Sequence, residues 1–295
     1  MFRAFFLACC TFAFAACSVG VAKPPPAPPA KPALWKVVDA DTTIYLFGTI
    51  HLLPKGTRWA GPALNAALGR SQQLVLETIL DDPAKLGATM AKIGASPGLP
   101  PILSRVPPAK RAALNAAITR SGVSMRTLDR METWAAALAL SSASLAAADL
   151  SHAEGVEAQL TAAFNRAGKP IGGLETPAQQ LGYFDRLPEA VQRKFLISVA
   201  EDSTGIKREF AAMIAAWRQG DVRKIAMTFD DEMRLTPELA EALLRRRNAI
   251  WADWVAARMA KPGTVFVAVG AGHLAGKGSV DALVARKGLK VVRVQ

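Results

Sequence analysis

From Leu34 onward, strand-like and helix-like hydrophobic periods alternate along the chain, and their order predicts an α/β fold. Leu34 to Val38 and Thr43 to Phe47 are rich in β-branched and aromatic residues. The turn Asp39-Ala40-Asp41-Thr42 separates them, so they read as a hairpin entering a sheet. A helix is expected around Arg58 to Leu68, followed by a strand at Gln73 to Glu77. Further helices open at Pro83 and at Pro107-Pro108, because a first turn tolerates proline.

From Met131 to Leu187 the pattern is mainly helical: Met131, Trp134, Leu138 and Leu145 recur at helical spacing, as do Val156, Leu160, Phe164 and Ala167. One strand interrupts this block at Pro170 to Leu174. A second helical block runs from Pro188 to Met259, which predicts a large helical insertion or cap over a mixed sheet. Thr264 to Val269 is a continuous apolar, β-branched run suited to a buried central strand. Leu289 to Val294 is expected as its neighbour, joined to it by a helix over Val280 to Lys287.

The chain has 295 residues, 51% hydrophobic and 20% charged, enough to bury a large core. Met1, Phe2 and Arg3 precede an apolar run from Ala4 to Ala16 and then the small residues Ala15 to Ser18, the order of a signal peptide over residues 1–22. All three cysteines, Cys9, Cys10 and Cys17, fall in this leader, so the body carries no disulfide and no thiolate chemistry. Phe14-Ala15-Ala16-Cys17 is similar to a lipoprotein signal, which would end before Cys17 and leave that residue as a lipidated membrane tether. Ordinary secretion into the periplasm, with cleavage near Ala16 or after Ala22, is the alternative. Residues 23–33 form a proline-rich spacer, and residues 34–295 form the domain. The net charge of +12 comes from scattered basic residues without aromatic interleaving, and with the expected export this argues against a nucleic-acid partner.

The body holds only three histidines, and two end the same local design. Gly48-Thr49-Ile50-His51 leaves one predicted strand, and Gly270-Ala271-Gly272-His273 leaves another. Carboxyl ends of parallel strands face the crevice where α/β sheets bind ligands, so both imidazoles are expected at one edge. Glu77 and Glu175 occupy the same kind of position. Two His and two Glu make a ligand set for a catalytic divalent ion that keeps a position open for water. His51, His273 and Glu77 are the candidate metal ligands, and Glu77 or Glu175 the candidate general base. Each carboxylate has a plain alternative role, capping the next helix.

On a helix expected from Thr236 to Met259, the apolar stripe Leu239, Leu243, Ile250, Trp254 takes Arg247 into its path. Asn248 lies in line with Leu244, Trp251 and Val255. A core-facing guanidinium is costly without a partner, so Arg247 is expected to meet Glu77, Glu175 or a substrate carboxylate. His152, in a loop, is expected to have no chemical role, and Trp134, Trp217, Trp251 and Trp254 read as packing residues.

LWKV followed by YLFGTIHLLP, then LVLET, GVEAQL, GKPIGGLETPAQQL, RRRN and VFVAVGAGHLAGKGSV together resemble the TraB/GumN (PrgY) family, over about Leu34 to Val294. That resemblance implies a shared α/β fold with a pseudo-symmetric pair of Gly-x-x-His motifs. It also implies kinship with the Tiki-type metalloproteases, whose peptidase activity depends on manganese or cobalt. The family's motifs fall on His51 and His273, its acidic positions on Glu77 and Glu175, and its Arg-Asn pair on Arg247 and Asn248. Glu157 departs from the pattern, since Asp is usual after Gly-Val, which weakens any role at that position. The expectation is an envelope hydrolase acting on a peptide or protein. The alternative is a non-catalytic protein that binds a peptide, or haem through His51 or His273.

Overall fold

In the computed structural model, the expected hairpin is formed by β1 (Leu34–Val38) and β2 (Thr42–Thr49), antiparallel with Leu34 opposite Phe47. The structure describes residues 30–79, 83–146, 150–201, 206–234 and 237–295. The leader with its three cysteines, most of the proline-rich stretch and Thr236 lie outside the described residues. After the hairpin come β3 (Leu53–Pro54), α1 (Pro62–Arg70), β4 (Gln73–Thr78) and α2 (Pro83–Ile93). The chain continues through α3 (Arg111–Ser121), α4 (Met125–Leu128), α5 (Thr133–Ala146), β5 (Leu150–Ser151) and α6 (Val156–Arg166). Next are β6 (Ile171–Glu175), α7 (Pro177–Asp185), α8 (Glu189–Glu201), α9 (Ile206–Arg218) and α10 (Val222–Arg234). α11 (Pro237–Ala240), a π-helical turn at Glu241–Arg245, and α12 (Arg246–Arg258) follow. β7 (Gly263–Gly270), α13 (Val280–Arg286) and β8 (Val291–Arg293) close the chain.

Six strands form one mixed sheet in the order β6-β4-β7-β2-β1-β8. β6, β4, β7 and β2 are mutually parallel, and only β1 runs against its neighbours. Side chains alternate across the strands, so the sheet has two apolar faces. On one, Tyr45, Phe47, Leu74, Leu76 and Phe266 pack with α1, α6 and α9 through Leu64, Leu160, Phe164 and Trp217. On the other, Ile44, Leu46, Val75, Val265 and Val267 pack with α12 and α13 through Trp251, Val255 and Val284. β7 is therefore covered on both sides, as its unbroken apolar run requires. The helical block has its own core, where Leu114, Leu140 and Leu196 join α3, α5 and α8.

Several expectations are corrected. β8 pairs with β1 at the sheet edge, not with β7, whose two flanks are already taken by β2 and β4. The first helix starts at Pro62, the first-turn position proline favours, rather than near Arg58. Pro107-Pro108 opens a 3-10 turn at Pro108–Lys110 that leads into α3. The pairing of β3 with β5 had no periodic signal, being two residues long on each side.

The most consequential difference lies in the helix before β7. The stripe expected through Ile250 and Trp254 is not the buried one: Ile250 is 49% exposed, and the face turned inward carries Arg247, Asn248, Trp251, Ala252 and Val255. The π turn at Glu241–Arg245 explains it, because each turn with i to i+5 bonding holds one extra residue and shifts the phase of everything after it. A single helical period drawn from Leu239 therefore keeps Arg247 inward but puts Ile250 and Trp254 where Trp251 and Val255 stand.

Candidate functional site

The carboxyl ends of the four parallel strands meet at one edge of the sheet. Thr49 at the end of β2 lies beside Gly270 at the end of β7, and Thr78 of β4 lies beside Glu175 of β6. Glu77 and Glu175 thus sit on strand ends, His51 two residues beyond β2, and His273 in the 3-10 turn Ala271–Leu274 after β7. Close approach is built into the backbone here. A Cβ on Gly48 would stand 3.1 Å from the Ala271 Cα, and one on Gly155 would stand 2.1 Å from the His51 carbonyl oxygen. Glycine at these two positions lets the loops after β2 and β7, and the start of α6, press together.

His51 is crowded by protein yet keeps 58% of its side-chain surface open, so it lines a crevice rather than the core. Its Nδ1 donates to Glu157 Oε1 across 2.7 Å, and the same oxygen accepts a short bond from the Thr49 hydroxyl. Crowding opposes a charged ring, but the Glu157 carboxylate and its hydrogen bond, helped by Glu77, outweigh it and raise the His51 pKa to about 9. Glu157 is held below its ordinary value: burial opposes its ionisation, and His51 and Thr49 overcome that opposition.

His273 is buried. Asn248 donates from Nδ2 to the Gly278 carbonyl at 2.8 Å, which turns its Oδ1 toward His273 Nδ1 at 2.5 Å. An oxygen there can only accept, so Nδ1 carries the proton and Nε2 presents its lone pair. That lone pair faces Arg247 Nη1 at 3.2 Å and Glu77 Oε1 at 3.6 Å. Burial, with Arg247 and His51 nearby, lowers the His273 pKa to about 4 despite Glu77, so the ring is neutral at physiological pH. Trp251 packs against it, the ring centroids 4.4 Å apart.

Arg247 joins the two strand-end carboxylates. Its Nη2 donates to Glu77 Oε2 at 2.6 Å and to Glu175 Oε2 at 3.0 Å, and its Nε donates to Glu175 Oε1 at 3.0 Å. Of the partners expected for this guanidinium, both Glu77 and Glu175 are present. Glu175 also accepts from Trp251 Nε1 at 3.1 Å and from the Tyr183 hydroxyl at 3.3 Å, so its lone pairs are engaged in holding neighbours. Glu77 accepts from the Gly270 amide at 2.6 Å and from Gln180 at 3.3 Å. Burial works against its charge, but His273, Arg247, His51 and the Gly270 amide overcome it and lower the pKa to about 2.

One point in space shows the convergence. A Cβ built on Gly270 would have Glu77 Oε1 at 3.1 Å, His51 Nε2 at 3.5 Å and His273 Cδ2 at 3.7 Å. The missing side chain of Gly270 leaves a cradle that an imidazole from each of two loops and one carboxylate oxygen face. Among the described residues no three such donors already stand in the arrangement of a metal centre, and the Arg247 guanidinium is bonded to His273 and Glu77. The donor chemistry nonetheless suits a divalent ion. Each imidazole has its Nδ1 tied to an oxygen acceptor, the outer-shell pattern that orients ligating histidines, while His273 Nε2 accepts from Arg247 Nη1 and His51, with its pKa near 9, would give up its Nε2 proton to hold an ion.

Sequence reasoning brought His51, His273, Glu77, Glu175, Arg247 and Asn248 forward, and the structure gathers all six. It undervalued Glu157, discounted there because Asp is usual at that position: the longer side chain reaches His51 from the first turn of α6. Trp251, read as packing alone, also donates to Glu175. Gln180 and Tyr183 were missed, although their spacing of three on the helix directly after Glu175 places both on one face. His152 is exposed, at the start of the 3-10 turn His152–Glu154.

The sequence model of the TraB/PrgY/gumN family matches residues 33–293. No curated protein and no solved structure matches the chain.

Proposed function

Because the chain belongs to the TraB/PrgY/gumN family over most of its length, we propose that it is a metal-dependent hydrolase of the bacterial cell envelope, acting on peptide bonds. The observation that carries this reading is the cradle at Gly270, faced by His51 Nε2, Glu77 Oε1 and the His273 ring. His51, His273 and Glu77 would hold a divalent ion, manganese, cobalt or zinc. Such an ion supplies a water of lowered pKa and polarises the carbonyl to be cleaved.

The remaining residues hold and orient. Glu157 and Thr49 fix the His51 ring through Nδ1, and Asn248 fixes His273 in the same way. Arg247 keeps Glu77 and Glu175 in place and stands beside the donors as a fixed positive charge, suited to the oxyanion that forms when an amide is attacked. Export rests on the leader, with Arg3 ahead of the apolar run Ala4 to Ala16, and a lipidated Cys17 would tether the domain to a membrane.

The test is metal content and peptide hydrolysis before and after His51→Ala and His273→Ala. Each variant is expected to lose bound metal and turnover together, and unchanged values in both would overturn the reading. A second reading is favoured by one contact: the Arg247 guanidinium already neutralises Glu77 and occupies His273 Nε2. On that reading the protein binds peptides without cleaving them, and peptide binding that survives chelation with no turnover would distinguish it.

A further inference from the structure

A cleft of about 420 Å³ opens between α7 and the π-helical turn before α12. Tyr183 forms a wall shared with the site above, since its hydroxyl donates to Glu175. Its ring meets two guanidinium groups: that of buried Arg247, 5.6 Å from the ring centroid, and that of exposed Arg186, 5.5 Å away. The cleft is therefore linked to Glu77 and His273 through Tyr183, Glu175 and Arg247.

The charges lining it are not balanced. Arg245 is paired with Glu241 at 2.8 Å and also donates to the Pro237 carbonyl. Arg186 and Arg246 both line the cleft, and among the described residues neither has a carboxylate partner. Glu238 is the only unpaired acid among the lining side chains. Arg186 is held toward the cleft by its stacking on Tyr183 and by Gly182, whose absent side chain leaves the space into which Arg186 Nη1 folds, 2.8 Å from where a Cβ would be. A guanidinium held in place before its partner arrives, with its fork free, recognises a carboxylate.

We propose that this cleft is a subsite for a carboxylate of the bound peptide, either its C-terminus or an acidic side chain, gripped by Arg186 and Arg246 over the Tyr183 ring. The inference deepens the hydrolase reading by naming the substrate class and rests on it for calling the ligand a substrate. Binding is therefore measured apart from turnover.

The probe is a fluorescein-labelled alanine-rich pentapeptide in three forms: a free C-terminus, a C-terminal amide, and an amide with one internal Glu. Anisotropy titrations use the full chain with chelator present. Two partly exposed ion pairs predict about five- to tenfold tighter binding of a carboxylate form than of the plain amide. R186Q/R246Q should abolish that preference, leaving the three forms with equal affinity. R186K/R246K should keep part of it, and R126Q, which removes an exposed charge on α4 outside the cleft lining, should keep all of it. Preference for the free C-terminus identifies a chain-end subsite, and preference for the Glu peptide identifies a side-chain subsite. Equal affinity for all three peptides, or a preference that survives R186Q/R246Q, overturns the proposal. If turnover is absent with every metal while the preference holds, the hydrolase reading falls and the carboxylate subsite stands.

Discussion

Replacing Arg247 with methionine removes the one cation that two buried carboxylates share. Glu77 and Glu175 are 6% and 7% exposed, and Arg247 itself is 5% exposed, so water cannot take over its role. The guanidinium makes contacts to Glu175 at 3.0, 3.2 and 3.0 Å and to Glu77 at 2.6 Å, while its pKa is raised against burial by those same two carboxylates. Breaking a buried pair by removing one partner costs about 3–5 kcal/mol, because the charge left behind is uncompensated. An exposed pair would cost under about 1 kcal/mol. With a urea m value of about 3 kcal/mol/M, the unfolding midpoint of R247M at pH 7.5, in chelator, should fall by at least about 1 M. R247K should recover part of the loss, since an ammonium restores the charge but not the fork that spans both acids. Adding E175Q to R247M should also recover part of it by removing one of the stranded charges. A midpoint for R247M within the range of an exposed pair would refute the account of a buried network held by one guanidinium.

Three further outcomes are expected. Gly270→Ala should block metal uptake at a stability cost of only about 1–2 kcal/mol, because its Cβ would fill the cradle 3.1 Å from Glu77 Oε1, and elemental analysis beside a thermal melt checks both parts. Glu157→Gln should bring the His51 pKa down from about 9 toward or below 6.5, a titration that NMR can follow because the chain has only three histidines; an unmoved pKa would remove Glu157 from its assigned place. In metal-free protein, stability should rise between pH 4 and 6.5. His273 has its folded pKa lowered to about 4, so the unfolded state takes the proton first as pH falls, and stability present above 6.5 is lost on the way to 4. For this buried ring the loss is roughly 3 kcal/mol, and denaturant midpoints across that range for the native chain and for His273→Asn, which should lose the slope, test it. His51 acts in the other direction and in a separate window, its contribution lost as pH rises through about 9.

The periodicity of the chain, by itself, determined the α/β class, the hairpin at Leu34 and the buried run that became β7. These are local properties: an alternation of two or an unbroken apolar stretch states which faces a strand will bury before any partner is known. Glycines and polar residues at strand ends likewise stand out against apolar neighbours, which made His51, Glu77, Glu175 and His273 legible as candidates, while Gln180 and Tyr183 were not. What the sequence could not decide was how distant segments pair and in what phase they meet. β8 lies beside β1 because both flanks of β7 were filled by other strands, a competition for edges that no local pattern records. Trp251 and Val255, rather than Ile250 and Trp254, turn inward beside Arg247 because a π turn shifts the helix ahead of them. Glu157 reaches His51 only because Gly155 lets α6 start against the loop after β2. Charge, likewise, is settled by the gathering: the same residue type sits near 9 at His51, beside a carboxylate in an open crevice, and near 4 at His273, sealed against a guanidinium.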